Sequence, residues 1–376
     1  MSPNATPDFG PKTAVRDKSR PRVSIIRTNL FTRELLMSGQ SPSPEKLRVG
    51  VIGGGFIGTT VGRAFEEDPR STVVALADVS EVARAEAGNA LYVGQGSQYE
   101  QYEAMLDAEE VDAVLVGTPH VFHYEQVTAA LDRGLHVLCD KPLTTDREKA
   151  RELAERAETS DQVLMVGYQR HLNEAFVEAR ERWADSELTP RFISAEITQD
   201  WISRFEDTWR TNPDLSGGGN LYDTGSHLVD AVLWTTGLTP TSVQAEMKFA
   251  DEDDRVDERA QLTVAFENGA SASISVFSDA PCVREHIHVW DDEGAVYLEG
   301  RQWEPRQLTE IREDSTTVSP YIDQQRSEDK AAVFIDCIES GKTPPATARD
   351  AFAVTALTEA AYESARSGER VTVSLD

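Results

Sequence analysis

The sequence predicts an α/β protein with an N-terminal doubly wound parallel sheet and a C-terminal α+β domain that contains a large, mostly antiparallel open sheet. In the first part of the chain, short apolar runs rich in β-branched residues alternate with amphipathic helical stretches, which is typical of parallel strands joined by crossover helices. In the second part, strand-like segments follow one another directly, and Asn268-Gly269 is a strong hairpin signal between two of them. A length of 376 residues accommodates two such domains.

The first predicted strand leads into a glycine-rich turn and a helix. Gly53, Gly55 and Gly58 form the pattern G-x-G-x-x-G, which allows a tight turn, close approach of backbone to a pyrophosphate, and close packing of helix on strand. The second strand ends at Asp78, about 20 residues after the last glycine, where an acid binds the hydroxyls of an adenosine ribose. The unit therefore predicts a Rossmann dinucleotide site. Asp78 favours NAD because it repels a 2′-phosphate, although NADP is possible if Arg84 reaches that phosphate.

The remaining elements follow in order from hydrophobic periodicity and turn residues. In the N-terminal domain, strands are predicted at residues 47–52, 72–77, 112–117, 135–139 and 163–167, and helices at residues 59–67, 82–90, 99–107, 123–133 and 146–160. In the C-terminal domain, strands are predicted at residues 192–198, 242–249, 261–266, 271–277, 287–290 and 295–298, and helices at residues 221–236, 325–340 and 347–367. The acidic run 250–258 is predicted to be a solvated loop. We place the dinucleotide-binding domain at residues 47–168 and a substrate-binding and oligomerisation domain at residues 169–376.

Residues 1–46 differ from both domains in composition. They are rich in proline, serine, asparagine and arginine, and basic residues outnumber acidic ones before Met37. This composition predicts a disordered extension. It is either a basic arm or, as we prefer, sequence upstream of a natural start at Met37, because a short polar segment leads from there into the first strand.

The chain is strongly acidic, with 65 Asp and Glu against 37 Lys and Arg and a net charge of −28. Such a charge repels nucleic acid and anionic membrane surfaces. We find no apolar run long enough to span a membrane and no signal peptide, so we expect a cytoplasmic protein. The acid excess with few lysines is similar to the composition of cytoplasmic proteins from extreme halophiles, which predicts loss of activity below molar salt. The cysteines, Cys139, Cys282 and Cys337, show no metal-binding spacing and no disulfide framework.

The second informative stretch is GGGNLYDTGSHLVD, at residues 217–230. Asp223 and His227 are four residues apart on a predicted helix, so they share one face and are suited to proton transfer. Proximity to the helix N-terminus favours the neutral form of His227. Gly225 weakens the helix, which we interpret as room for a nicotinamide or a sugar. The alternative is a surface pair on an amphipathic helix.

Several motifs occur in the order seen in one enzyme family. They are GGGFIG, the acid at Asp78, TPHVFHYE (residues 118–125), GLHVLCDKPL (residues 134–143), GYQR (residues 167–170), GGGNLYDTGSHLVD and SGKTPPATARDA (residues 340–351). On these motifs, residues 47–373 resemble the glucose–fructose oxidoreductase / inositol dehydrogenase (Gfo/Idh/MocA) family of NAD(P)-dependent oxidoreductases. The resemblance does not extend to the N-terminal residues.

The resemblance implies specific roles. Lys141 matches the family's E-K-P lysine, between nicotinamide ribose and substrate, although Asp140 replaces the usual Glu. Asp223 and His227 match its D-x-x-x-H motif, with His227 accepting the hydroxyl proton as hydride leaves for the nicotinamide and Asp223 orienting the reacting group. The open sheet of this family often forms the oligomer contact, so a homodimer or homotetramer is expected.

The expected site residues fall into three groups. The catalytic residues are Lys141, Asp223 and His227. The cofactor-binding residues are Gly53, Gly55, Phe56, Ile57, Gly58, Asp78, Thr118, Pro119, His123, Asp140 and Lys141. The substrate-binding residues are Lys141, Tyr168, Arg170, Asn220, Asp223 and His227, with Trp201, Arg204, Trp209 and Arg210 as further candidates for stacking and hydrogen bonding to a sugar. No metal is expected, because a nicotinamide carries the hydride, and His120, His286 and His288 are interpreted as structural.

The predicted function is an NAD(P)-dependent dehydrogenase acting on a secondary alcohol of a sugar, sugar acid or cyclitol. One alternative is a glycoside hydrolase of the same fold that uses tightly held NAD for transient oxidation. Another is a non-catalytic dinucleotide-binding regulator, against which the presence of Lys141, Asp223 and His227 argues, because a sensor needs no proton acceptor.

Overall fold

The structure, a computed structural model, describes residues 46–184, 186–323 and 327–375. The N-terminal sheet contains β1 (Leu47–Ile52), β2 (Ser71–Ala77), β3 (Gln98–Tyr99), β4 (Ala113–Val116), β5 (His136–Cys139) and β6 (Leu164–Val166). In the described residues these six strands are all parallel, in the order β3-β2-β1-β4-β5-β6. The strand order reverses between β1 and β4, and ligands bind outside the carboxyl ends of strands at such a switch point. The predicted doubly wound parallel sheet is confirmed.

The helices that connect these strands are α1 (Phe56–Glu67), α2 (Glu81–Ala90), α3 (Tyr102–Ala108), α4 (His123–Asp132) and α5 (Arg147–Thr159). The sequence predicts a helix over residues 99–107, and its beginning is wrong. Gln98 and Tyr99 instead pair in parallel with the end of β2 and form the edge strand β3. The helix therefore begins only at Tyr102.

The C-terminal part contains five further helices in the described residues: α6 (Glu174–Ala184), α7 (Pro213–Ser216), α8 (Ser226–Thr236), α9 (Lys330–Ser340) and α10 (Ala348–Ser367). The predicted helix over residues 221–236 is divided, because Leu221–Gly225 form a π-helical turn before α8. The predicted helix over residues 325–340 begins at Lys330, after the N-cap residue Asp329. Residues 324–326 lie outside the described residues.

The C-terminal sheet contains β7 (Phe192–Asp200), β8 (Pro240–Phe249), β9 (Asp257–Phe266), β10 (Ser271–Phe277), β11 (Asp279–Trp290), β12 (Gly294–Arg301), β13 (Gln307–Arg312), β14 (Thr317–Val318) and β15 (Val371–Thr372). Over the described ranges, its order is β14-β13-β12-β11-β7-β10-β9-β8-β15. Only β7 and β10 pair in parallel there. Alternation in β7 buries Ile193, Ala195 and Ile197 on the face that packs against α8. The predicted mostly antiparallel sheet is confirmed.

Helix α9 packs against α1 of the N-terminal domain although it lies late in the chain. The rings of Phe65 in α1 and Phe334 in α9 meet edge to face, with centroids 6.0 Å apart. Both rings are fully buried in the same hydrophobic cluster. The hydrophobic cluster of the N-terminal domain thus includes a helix from late in the chain.

Two further predictions from the sequence are a disordered N-terminal extension and the lack of a membrane-spanning segment. The N-terminal extension and the proposed start at Met37 lie outside the described residues. Among the residues that the structure describes, a helix with both the length and the apolar character needed to cross a membrane is absent.

Candidate active site

The glycine-rich turn between β1 and α1 uses its three glycines differently. Gly53 has a φ of +97°, and a Cβ there would lie 2.8 Å from the backbone of Gly117. A Cβ on Gly58 would lie 1.8 Å from the Gly53 carbonyl oxygen, so the helix packs tightly on the turn. A Cβ on Gly55, in contrast, would meet no heavy atom within 4 Å among the described residues. The turn therefore leaves open space beside the uncapped N–H groups that begin α1, which fits a pyrophosphate.

Asp78 lies beside this turn at the end of β2. Its carboxylate accepts hydrogen bonds from the backbone N–H groups of Gly54, at 2.7 Å, and Ser80, at 2.8 Å. Arg84 Nη1 donates to the Asp78 carbonyl oxygen at 2.6 Å, so a cation lies next to the acid. The carboxylate remains partly exposed, which fits the binding of ribose hydroxyls at this end of the site.

A cleft of about 1220 Å³ extends from this turn to the C-terminal sheet. It brings together most of the site residues predicted from both parts of the chain. These are Gly53, Gly55, Phe56, Ile57, Asp78, Thr118, Pro119, Asp140, Lys141, Arg170, Arg204, Trp209, Arg210, Asp223 and His227.

Five predicted site residues do not line this cleft: Gly58, His123, Tyr168, Trp201 and Asn220. Trp201 is fully buried. Gly58 packs on the turn. The two ring nitrogens of buried His123 each lie 2.8 Å from a carbonyl oxygen, of Pro142 and of Thr118, so this side chain joins two loops. Tyr168 is 1% exposed and Asn220 is 0% exposed. The Tyr168 hydroxyl and both amide atoms of Asn220 have no hydrogen-bond partner among the described residues.

Lys141 and Asp223 form a buried ion pair in the cleft wall. Lys141 Nζ donates to the Asp223 carboxylate at 2.6 Å and to the Asp223 carbonyl oxygen at 2.9 Å. The second carboxylate oxygen accepts from Trp201 Nε1 at 2.8 Å and from Arg210 Nε at 3.1 Å. Burial raises the pKa of Asp223, but the charges of Lys141 and Arg210 outweigh burial and hold this pKa well below its usual range. Asp223 is therefore ionised, and both of its carboxylate oxygens are occupied by donors.

A buried carboxylate supports the π-helical turn that carries Asp223. Asp257 accepts a hydrogen bond from the Leu221 N–H at 2.9 Å and another from the Tyr362 hydroxyl. The prediction of a solvated loop over residues 250–258 is wrong for Asp257, which is fully buried in β9. Its side chain satisfies backbone donors of the turn, a requirement that charge patterning along the sequence cannot show. Burial raises the pKa of Asp257 to about 6.

The interpretation of Gly225 as room for a ligand is wrong. A Cβ there would lie 3.0 Å from Leu221 Cδ1 and 3.2 Å from Val276 Cγ2 of strand β10. The glycine thus allows the π-helical turn to pack closely on the C-terminal sheet.

His227 lines the cleft and is largely buried, with 9% of its surface exposed. Its Nδ1 is buried and has no hydrogen-bond partner among the described residues. Burial, together with the positive charges of Arg170 and Lys141, lowers the pKa of His227 well below its usual value. The imidazole is therefore neutral near physiological pH and has a lone pair available to accept a proton.

Arg170 lies in a second buried ionic group. Its Nε and Nη2 donate to Glu285 at 3.2 and 2.7 Å, and Arg306 donates to the same carboxylate. All three side chains are almost completely buried. Sequence reasoning missed Glu285 and Arg306, because they belong to no motif and lie far from Arg170 along the chain, 115 positions away in the case of Glu285.

His120 is another cleft residue that sequence reasoning missed. Its Nδ1 lies 2.9 Å from the Ser216 carbonyl oxygen, and its ring meets the Trp209 ring edge to face at 4.9 Å. Burial and the charge of Lys141 lower its pKa to about 3, so it is neutral. Its place in TPHVFHYE, after a buried strand, was an available signal.

Comparison with family models gives two matches. Residues 47–168 match the oxidoreductase family with an NAD-binding Rossmann fold, and residues 176–297 match the GFO/IDH/MocA C-terminal domain.

Similar proteins include enzymes of sugar metabolism. The chain is 29% identical over 289 residues to D-xylose 1-dehydrogenase (NADP(+)) 2 of Haloferax volcanii, a match that covers 74% of this chain and 86% of that protein. It is 29% identical over 332 residues to the rhizopine catabolism protein MocA of Rhizobium meliloti, covering 85% and 95% of the two chains. The crystal structure of GenD2 from gentamicin A biosynthesis, in complex with NAD, has a TM-score of 0.74 and 25% identity over 88% of this chain and 97% of that one.

Proposed function

The chain belongs to the GFO/IDH/MocA family of NAD(P)-dependent oxidoreductases, and from this premise we propose that it oxidises a secondary alcohol of a sugar, sugar acid or cyclitol. It is a dehydrogenase acting on CH–OH groups. One observation supports the proposal above all: Lys141, fixed by Asp223, and the neutral imidazole of His227 line one cleft with the glycine-rich turn. These groups can bind an alcohol oxygen and remove its proton.

The glycine-rich turn and Asp78 would hold the dinucleotide. The open space at Gly55 and the N–H groups of α1 would receive its phosphates, and Asp78 would accept hydrogen bonds from a ribose. NAD(P), when bound, supplies the acceptor for the hydride that leaves the substrate carbon. We expect Asp78 to favour NAD, and the ratio of kcat/KM with NAD and with NADP tests this.

Lys141 would bind the reacting oxygen. Its ammonium group carries three protons, and two of them are directed at the Asp223 carboxylate and carbonyl oxygens. The third remains available to the substrate hydroxyl, where the charge of Lys141 would stabilise the oxygen as its proton leaves. Because the carboxylate oxygens of Asp223 are already occupied by donors, its role would be to position Lys141.

His227 would accept the hydroxyl proton. Its Nδ1 is buried, so we assign proton acceptance to Nε2, on the other edge of the ring. The depressed pKa of His227 keeps the imidazole neutral before the reaction, and in the tautomer with its proton on Nδ1 the lone pair of Nε2 is available to accept.

The first test is reduction of NAD and NADP in molar KCl with a panel of aldoses, aldonates and inositols. Turnover should fall by about 10²–10⁴ in Lys141→Met and in His227→Asn, because each removes a proton-transfer or charge-stabilising group. Lys248→Met, which removes an exposed lysine outside the cleft, is the matched control and should retain wild-type turnover. Cofactor binding without reduction by any compound would contradict the proposal.

The exposed face of the C-terminal sheet supports the proposal of a homo-oligomer. Phe192 and Trp290 are cross-strand partners there and are 46% and 39% exposed. Contiguous apolar surface of this kind is typical of interaction sites. In analytical ultracentrifugation we expect the wild-type protein to sediment as a dimer or tetramer. Trp290→Glu should sediment as a smaller species. A wild-type monomer would contradict this proposal.

A further inference from the structure

The wall of the cleft contains two ionic triads of the same composition. Each has two cations on one carboxylate, so each carries an excess positive charge. The triads are Lys141–Asp223–Arg210 and Arg170–Glu285–Arg306. All four cations line the cleft, but Glu285 does not and lies behind Arg170 and Arg306. The surface that the second triad presents to a ligand is therefore cationic, in a chain whose net charge is −28.

Nearby groups do not neutralise this excess. Asp140 also lines the cleft but faces a cation of its own, with Lys330 Nζ at 3.8 Å. His120 and His227 are neutral because burial depresses their pKa values. Glu100, Glu304 and Glu328 line the cleft but are exposed, so solvent screens their charges. Asp78 lies at the glycine-rich turn, where its carboxylate accepts from the backbone N–H groups of Gly54 and Ser80.

The side chains of Lys141, Arg170 and Arg306 are at most 10% exposed and that of Arg210 is 24% exposed. An excess of cations so largely removed from solvent is unfavourable unless an anion joins them. An uncharged sugar would leave all of these charges uncompensated, whereas a ligand with one carboxylate would compensate part of them.

Arg210 has the geometry to bind such a group. Only its Nε is used within the described part of the chain, in the contact with Asp223. Its guanidinium lies 4.6 Å from the Phe205 ring centroid and 4.5 Å from the Trp209 ring centroid, so the two aromatic rings hold its plane. The two Nη groups remain available, and a planar guanidinium fork matches a carboxylate through paired hydrogen bonds. Arg204, which also lines the cleft, has no carboxylate partner among the described residues.

We propose that the substrate is a sugar acid whose carboxylate is bound by the Nη groups of Arg210, while its secondary alcohol meets Lys141 and His227. This inference rests on the proposed function and narrows its substrate class. The carboxylate is unchanged by the reaction, and its role is recognition.

The test compares compounds that share a carbon skeleton and differ in charge. D-gluconate is paired with D-glucitol, D-xylonate with xylitol, and D-glucuronate with D-glucose, with D-glucose 6-phosphate as a further anion. The ratio of kcat/KM for acid over neutral partner should be at least about 10-fold in the wild type, since a charge-assisted pair contributes that much. In Arg210→Gln this ratio should fall by about 10-fold or more, whereas the control Arg312→Gln, an exposed position, should leave it unchanged. The ratio cancels any general loss of activity that follows from the contact of Arg210 with Asp223.

Equilibrium binding to the NADH complex separates the failure of this inference from that of the proposed function. Calorimetry should show tighter binding of the acid than of its neutral partner, and Arg210→Gln should abolish the difference. If acids bind preferentially and Arg210→Gln abolishes the preference, but no compound is turned over, the recognition of a carboxylate by Arg210 stands and the proposed oxidation fails. Equal or tighter binding of neutral sugars, preference for the phosphate, or an unchanged ratio in Arg210→Gln would overturn the inference.

Discussion

The variants Gly55→Ala and Gly58→Ala test the cofactor site without knowledge of the substrate. A Cβ at Gly58 would lie 1.8 Å from the Gly53 carbonyl oxygen and 3.0 Å from its carbonyl carbon. Both are backbone atoms, so no side-chain rotation relieves the overlap and α1 must shift. Overpacking costs about 1–3 kcal/mol, and so short a separation places Gly58→Ala at the upper end of this range. At about 1–2 °C per kcal/mol for a chain of this length, its Tm should fall by a few degrees.

Gly55→Ala should separate cofactor affinity from stability. Gly55 has φ −72° and ψ −164°, which alanine adopts, and its Cβ would meet no heavy atom within 4 Å among the described residues. Stability should therefore change by no more than about 0.5 kcal/mol. The added methyl group would occupy the space into which a pyrophosphate fits, so the Kd for NADH should rise at least about 10-fold, or 1.4 kcal/mol.

The assay is thermal unfolding without cofactor, followed by fluorescence titration with NADH. Gly96→Ala is the matched control, since a Cβ there also meets no described heavy atom within 4 Å and Gly96 lies outside the cleft. It should change neither Tm nor Kd. Wild-type affinity of Gly55→Ala for NADH, or a wild-type Tm of Gly58→Ala, would refute this account of the turn.

Four further measurements address charge in the fold and the site. Lys141→Met leaves Asp223 buried without its lysine and should lower the free energy of unfolding by about 3 kcal/mol. The double variant Lys141→Met/Asp223→Asn should regain part of this loss in urea unfolding. Equal stability of the single and double variants would contradict a buried ion pair. Because the pKa of His227 is depressed, kcat/KM for alcohol oxidation should show no inflection near the ordinary histidine pKa of about 6.5, and a fall centred there would count against His227 as the base. Asp257 has a pKa of about 6 in the folded state and about 3.9 in the unfolded state. Between these two pH values the folded state binds more protons than the unfolded state. The free energy of unfolding should therefore fall as pH rises through about 6. Asp257→Asn should remove this component, and equal pH dependence of variant and wild type in urea unfolding would argue against it. Finally, Tm should fall on transfer from molar to dilute KCl, because salt screens the repulsion of a chain with net charge −28; an unchanged Tm would contradict the halophile-type interpretation.

Much of the fold was predictable because its signals are local. Continuous apolar runs such as residues 112–117 indicate strands buried on both faces, and alternation such as that of residues 192–198 indicates strands buried on one face. Tyr99 shows the limit of this reasoning. Its neighbours have helical periodicity, but pairing with the edge of β2 makes it a strand residue, and a sequence window contains no information about that edge.

The sequence predicted which residues belong to the candidate site, but not the hydrogen bonds and ion pairs that join them. The resemblance assigned roles to Lys141, Asp223 and His227, and the structure places all three along one cleft. Sequence reasoning did not anticipate that Asp223 also accepts from Trp201 and Arg210. It expected Tyr168 and Asn220 at the substrate, whereas both lie buried outside the cleft lining.

The order of residues along this chain is sufficient to specify its two sheet types, the glycine-rich turn and the position of Asp78, because periodicity and turn chemistry act over a few neighbouring residues. Folding in three dimensions was needed to reveal why Asp257 is buried, why Gly225 is a glycine, and how Glu285 joins Arg170 to Arg306. In the last case the paired residues Arg170 and Glu285 are 115 positions apart. Buried charges find their partners through strand pairing and helix packing, and their energies depend on a desolvated environment that only the assembled fold creates.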